Sequence, residues 1–334
     1  MIHTDSILVQ NLLVPCACRC RYCLLSWDGR PVGVPWEQGA SFSLRFRDWC
    51  RVKRPELRFS FAFGYSMEHP ELRRALAFLR EIGSPQAEFL QCDGLRMRDE
   101  TECMALSSLL AEEGVKHLNF TFYGLEDYHD RFAGRRGDFA LLLRLMRAAR
   151  SAGLKTSAGI PLTEENAAQA EALFTRLQEH GCPEISFFIP HEEGRGLSLD
   201  GIRLTEQTLS TLPEALAGHF NRSLYRPERE WLGGENYRQE TRRMLLVSLR
   251  PETMERYAAL PFDELIAEIE ALDESYYARF PSFAALAERY GDPEGERLYR
   301  QRDLYAHYRR LFLRQFPQSL YDVTDERQSG SRRY

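Results

Sequence analysis

Residues 7–23 read ILVQNLLVPCACRCRYC, an apolar and β-branched run that stops at Pro15 and leads into four cysteines within eight positions. The run 7–14 has the composition of a strand buried on both faces, and proline closes it. In the loop behind it, Cys16, Cys20 and Cys23 form C-x3-C-x2-C. With 8 cysteines in 334 residues, that spacing arises by chance in only about 0.5% of such chains. Three thiolates on one tight loop can hold three corners of an iron–sulfur cube, and the missing fourth thiolate leaves one iron open. Arg19 and Arg21 place positive charge beside the loop, which favours thiolates and offsets the negative charge of a cluster. Two plainer readings stay open. A zinc site needs a fourth ligand, Cys18 or Cys50, and usually shows paired C-x2-C halves, while a redox or disulfide pair needs only two thiols. Cys18 fits no slot of the three-cysteine frame and reads as a bystander, its side chain pointing away from the cube.

Outward from that loop the chain repeats a strand-then-helix rhythm. Strand-like runs occur at 7–14, 57–63, 87–92, 116–122, 154–160 and 184–190, with helical-period stretches at 71–82, 99–113, 138–152 and 164–180. Gly83, Gly114, Gly153 and Gly181 stand where helices should stop. The first connection, 24–56, shows no clear helix. Repeated βα units predict a parallel sheet covered by helices, and six units predict an open, partial (βα)6 TIM-like barrel rather than a closed one. Chemistry gathers at the carboxyl ends of the strands in such folds, where the cysteine loop falls. Beyond Leu204 the rhythm ends. The expected division is a core at 1–204, a mostly helical extension at 205–324 and a disordered tail at 325–334. The extension serves as a scaffold or dimer surface, or as a cap over the barrel mouth.

C-x3-C-x-(aromatic)-C after a first strand, with Tyr22 in the aromatic slot, resembles the signature of the radical S-adenosylmethionine (radical SAM) superfamily. Other segments follow in order over roughly 5–195. Phe63-Gly64-Tyr65-Ser66, followed by His69-Pro70-Glu71-Leu72, resembles the Gly-Gly-Glu-Pro segment after the second strand. Gln91-Cys92-Asp93-Gly94 sits where many members carry a Thr-Asn-Gly turn. Phe120-Thr121-Phe122-Tyr123-Gly124, with His129-Asp130 downstream, resembles the fourth-strand Ser-x-Asp-Gly segment, and 155–166 resembles the fifth strand and its turn.

The resemblance implies a radical SAM core with one [4Fe–4S] cluster on Cys16, Cys20 and Cys23. It also implies S-adenosyl-L-methionine at the open iron, cleaved on reduction to methionine and a 5′-deoxyadenosyl radical. The implied cofactor contacts are Tyr22, Gly64, Tyr65, Ser66, Thr121, Arg131 and Gly159. Four positions depart from the family pattern. Tyr65 replaces the glutamate that holds the methionine amino group, so the carbonyls near Phe63 and Gly64 would take that part. Thr121 replaces a serine but keeps the hydroxyl, and Gly159 stands where relatives often carry Asn. Ala133 replaces an arginine near the cofactor carboxylate, for which Arg131 or Arg135 would substitute.

The loop His191-Glu192-Glu193 after the sixth strand supplies candidate catalytic acids and bases, or is a solvated loop. The chain carries no cysteine after Cys182, so a second cluster is not expected. The first strand starts at residue 7 and leaves no room for an upstream cobalamin domain. A net charge of -5 lacks the footprint of a nucleic-acid binder. No apolar run spans a membrane and no signal peptide opens the chain, which places it in the cytoplasm, where clustered thiols point to metal. Expected partners are an electron donor such as flavodoxin or ferredoxin and a substrate peptide or small molecule. Peptide or protein modification is favoured, because the His-Pro-Glu-Leu and His-Asp segments resemble barrels with such substrates. The alternatives are a radical SAM enzyme acting on a small metabolite, and a non-catalytic iron–sulfur or zinc protein.

Overall fold

The structure is a computed structural model that describes residues 2–14, 16–23, 33–64, 66–233, 236–238, 240–316 and 330–333. Its amino-terminal part alternates strand and helix: β1 (His3–Val14), α1 (Trp36–Lys53), β2 (Arg58–Gly64), α2 (Leu72–Ile82), β3 (Phe89–Gln91), α3 (Glu100–Glu112), β4 (His117–Thr121), α4 (Glu126–Ala133), α5 (Asp138–Ser151), β5 (Lys155–Pro161), α6 (Ala170–Glu179) and β6 (Glu184–Phe188). The strands run parallel in two sheets, one holding β1 and β2, the other ordered β3-β4-β5-β6. This is the open, barrel-like α/β fold the periodicity predicts, with a helical carboxyl-terminal region.

Local chemistry accounts for most boundaries. Asp99 opens α3 with a reciprocal capping box to Glu102, two orphan N–H groups satisfied at once. Gly83 closes α2 in the left-handed region at φ +78, where a side chain would be strained. Among the described residues no ladder forms between β2 and β3. Ser84 Oγ donates to Phe61 O at 2.7 Å, and Gln86 Oε1 accepts from Phe63 N at 3.3 Å, so side chains before β3 satisfy the edge of β2. One apolar core runs beneath both sheets, from Ile7 and Phe61 to Phe120 and Ile160.

Three expectations need correction. The connection 24–56 contains an 18-residue helix, α1. Its buried stripe Phe42, Phe46 and Cys50 recurs every four residues, but Gly39 and two serines mask the period. Gly39 is there for space: a Cβ would stand 2.3 Å from Asn11 Nδ2. Asn11, 1% exposed, clamps the preceding turn by accepting from Val34 N at 2.9 Å and donating to Val34 O at 3.1 Å.

The second correction concerns 205–324. That region holds α7 (Glu206–Ser210), α8 (Glu214–Ala217), β7 (Arg226–Pro227), α9 (Glu228–Leu232), β8 (Arg242–Ser248), α10 (Pro251–Ala259), α11 (Phe262–Tyr277), α12 (Phe283–Tyr290), β9 (Leu298–Tyr299) and α13 (Gln301–Gln315). Strand β8 pairs parallel with β1, Ile7 opposite Leu245 and Val9 opposite Val247, so the extension lends the barrel a strand. Third, of the tail expected at 325–334, Gly330–Arg333 forms β10, antiparallel to β8, while 325–329 and 334 lie outside the described residues. An edge strand recruits backbone partners whatever their side chains, so the polar composition of this segment did not betray it.

Candidate metal centre

The cysteine loop leaves β1 at its carboxyl end and is fixed by backbone hydrogen bonds to three other segments. Ala17 N donates to Gly94 O at 2.9 Å, Arg19 N to Ala133 O at 2.8 Å, Arg21 N to Phe132 O at 2.9 Å, and the Cys23 carbonyl accepts from Arg195 N at 2.8 Å. Gly134, at φ +66, makes the closest approach; a Cβ would lie 2.9 Å from Arg19 Cβ and 3.0 Å from Arg19 O. Arg19 Nη1 donates to the carbonyls of Cys16 and Cys18 at 3.1 and 2.9 Å. The cysteines sit in a small apolar cluster with Tyr123, Tyr128, Phe132 and Leu199, which limits water at the thiols.

Three thiols on one loop in C-x3-C-x2-C spacing suit three corners of an iron–sulfur cube. Among the described residues no disulfide forms. Among the described residues, Glu192, Asp200 and His307 are the only group of three His, Cys or carboxylate ligand atoms lying within 4.8 Å of one another.

Cys18 does not point away. Its thiol lies 3.6 Å from Asp138 Oδ2 and within hydrogen-bond reach of Cys16 and Cys20; those bonds, with burial, push it far up, so it stays protonated. Asp138 is buried, 3.1 Å from His129 Nε2 and paired with Arg135. Burial alone would raise Asp138, but the His129 hydrogen bond and both positive neighbours outweigh it and hold the carboxyl down. Arg135 is spent on Asp138 and the Leu95 carbonyl.

The expected cofactor contacts divide. Tyr22, Thr121 and Gly159 come together at the ends of β4 and β5, where Thr121 and Gly159 are register partners. The Tyr22 ring meets Tyr123 edge-on at 5.4 Å, and its hydroxyl bonds with Tyr123 and Thr121; burial, then Asp93, raise it. Gly159 faces Phe188, whose Cε1 would be 3.1 Å from an added Cβ, so Asn there would have to displace that ring. Gly64 ends β2 at φ +78. Tyr65 lies outside the described residues, and of Ser66 only the backbone is described, in the 3-10 turn Ser66–Glu68. Arg131 lies over the Tyr128 ring at 5.9 Å.

Two residues escaped the sequence reading. Asp93 accepts from Thr121 N and Oγ1 at 2.8 and 2.7 Å; burial outweighs these bonds and lifts its carboxyl to about 6. Tyr123 Oη donates to Cys20 Sγ at 3.2 Å. The only local signal for either was an Asp before Gly94 and a Tyr before Gly124, at strand ends. Glu192 is buried, 3.0 Å from Arg203 and 3.7 Å from Arg310 of α13, while His191 Nδ1 is 3.4 Å from Asp303, so these two candidates face the extension.

An open, mostly parallel α/β barrel with a three-cysteine loop at its carboxyl face thus defines the class. No protein-family model matches the chain. A curated relative, Fe-coproporphyrin III synthase of Methanosarcina barkeri, is 26% identical over 91 residues, 27% of this chain and 23% of the relative. Among solved structures, Streptococcus suis SuiB bound to its precursor peptide SuiA matches with TM-score 0.47 and 12% identity over 66% of this chain and 49% of its own. Coproporphyrinogen III oxidase (HemN) of Escherichia coli, described as a radical SAM enzyme, matches with TM-score 0.44 and 18% identity over 67% of this chain and 54% of its own. The chain spans about half the length of these structures.

Proposed function

We propose that this protein is a radical S-adenosylmethionine enzyme that holds one [4Fe–4S] cluster on Cys16, Cys20 and Cys23 and removes a hydrogen atom from its substrate. The observation that carries this reading is the cysteine loop: three thiols in C-x3-C-x2-C register at the end of β1, shielded by aromatic rings. When bound and reduced, the cluster with S-adenosylmethionine at its open iron supplies the 5′-deoxyadenosyl radical.

The chain's own residues have separate tasks. Cys16, Cys20 and Cys23 ligate, and Cys18, kept protonated, donates toward its neighbours. The Tyr123 hydroxyl donates to Cys20 Sγ, which draws charge off that sulfur and favours the reduced cluster. Asp93 and Thr121 present a carboxylate and a hydroxyl at the strand ends, suited to the hydroxyls of a ribose. Tyr22 and Phe132 close the loop against water.

The test is anaerobic. Reconstituted protein given dithionite and S-adenosylmethionine should form 5′-deoxyadenosine slowly without substrate, because cleavage needs only cluster and electron. An intact cluster with no product refutes the enzyme reading and leaves an iron–sulfur binding protein. In the cell a flavodoxin or ferredoxin of the reducing cytoplasm would supply the electron; no helix among the described residues is long and apolar enough to cross a membrane.

For the substrate we propose a peptide or protein segment, on the resemblance of 69–72 and 129–130 to peptide-modifying members. That support is architectural: His69 packs on Trp36 at 4.9 Å between ring centres and His129 pairs with Asp138. Peptides encoded beside the gene should accelerate 5′-deoxyadenosine formation; stimulation by small metabolites alone would move the assignment to them.

A further inference from the structure

The loop behind β6 has two working faces. Its 3-10 turn, Gly194–Ile202, repeats every three residues, so Leu199 and Ile202 share one side while Asp200 and the following Arg203 share the next. Leu199 and Ile202 pack in the cluster that contains Cys16, Cys18 and Cys20. Asp200 and Arg203 turn toward α13. Arg310 pairs with Asp200, lies 3.7 Å from Glu192 and donates to His307 Nδ1 at 2.7 Å. Arg203 is 3.0 Å from Glu192 and 3.9 Å from Asp303, and its guanidinium covers the Tyr299 ring at 4.1 Å. Between these faces, Arg195 N donates to the Cys23 carbonyl at 2.8 Å. At Gly196 a Cβ would stand 2.2 Å from His191 O, so the loop is folded tightly where it meets the cysteines.

Glu192, Asp200 and His307 bring their ligand atoms within 4.8 Å, the arrangement of a cation site. The cation there is the guanidinium of Arg310, which lies among all three. The cluster is therefore a joint between α13 and the loop, not a second metal site.

We propose that Arg310 and Glu192 are positioning residues for the metal centre: through the loop 191–203, helix α13 fixes the Cys23 end of the cysteine loop. The inference rests on the reading that Cys16, Cys20 and Cys23 hold a cluster. It gives the extension a definite part, since no contact from α13 to the thiols themselves is required. Losing a partner that supports a metal ligand typically weakens metal binding 10–100-fold, and Arg310 acts one layer farther out, so the lower end applies.

The experiment compares reconstituted wild type with Arg310→Met, Glu192→Gln, Arg310→Lys and Arg309→Met. Arg309 is the neighbouring buried arginine, but it lies against Tyr277 and Tyr305 at 4.8 and 4.9 Å, within the extension. Iron release to a chelator and the electron paramagnetic resonance spectrum of the reduced cluster are recorded beside the melting temperature. Arg310→Met and Glu192→Gln should release iron about tenfold faster with an altered spectrum, and Arg310→Lys should recover part of both. Arg309→Met should lower the melting temperature and leave the spectrum as in wild type. Wild-type iron release and spectrum in Arg310→Met and Glu192→Gln, or the same spectral change in Arg309→Met, overturn the positioning role alone. Wild-type protein that takes up no iron overturns it together with the cluster reading.

Discussion

Gly134→Ala separates the backbone of the cysteine loop from everything else in the fold. Gly134 closes α4 in the left-handed region at φ +66, where an L-residue pays about 1–2 kcal/mol. Its methyl would also stand 2.9 Å from Arg19 Cβ and 3.0 Å from Arg19 O, and the latter is main chain that cannot swing aside. Overpacking of that kind adds about 1–3 kcal/mol unless the neighbour moves. Gly153 supplies the control, because it sits at φ +79 with nothing within 4 Å of an added Cβ. Gly153→Ala should cost about 1–2 kcal/mol and bind iron normally. Gly134→Ala should cost about 2–5 kcal/mol, or else push the cysteine loop outward and break the Arg19 N to Ala133 O hydrogen bond. Anaerobic urea unfolding and iron per chain read the two routes. A Gly134→Ala protein as stable as Gly153→Ala and fully loaded with iron would refute the close packing of the loop on α4.

Two more predictions follow from the same contacts. Cys16→Ala, Cys20→Ala and Cys23→Ala should each lose the cluster, whereas Cys18→Ala should keep about four irons per chain, its thiol being a protonated neighbour of Asp138; loss of iron in Cys18→Ala would overturn the ligand assignment. Asp303 of α13 titrates against the loop behind β6. Burial would raise it, but the hydrogen bond and charge of His191 and the charges of Arg203 and Arg302 outweigh burial and hold its carboxyl below the ordinary value. The unfolded chain then binds the acid proton first, so the stability Asp303 contributes is full above about pH 4 and is lost as pH falls below it. The gap in urea midpoint between wild type and Asp303→Asn should shrink in acid, and a gap independent of pH would contradict this account.

What the sequence determined by itself was local. The apolar run before Pro15, the C-x3-C-x2-C spacing, the capping pair Asp99 and Glu102 and the stop at Gly83 act within a few residues of one another, so their physics is complete in a short window. The same holds for the succession of βα units from β2 to β6 and hence for the open barrel. Helix α1 was hidden because its stripe of Phe42, Phe46 and Cys50 is interrupted by small residues that only the approach of Asn11 explains. Everything that turns the motif into a site joins distant parts of the chain. Tyr123 reaches Cys20 across 103 positions, Arg310 reaches Asp200 across 110, and Asp138 reaches Cys18 across 120. Strand β8 lies against β1 although more than half the chain separates them; its apolar run 244–247 (MLLV) marks a strand but not the partner it pairs with. Such pairs form only once the core has brought the strands into register, and so the tertiary structure, not the sequence pattern, decided which polar groups surround the thiols.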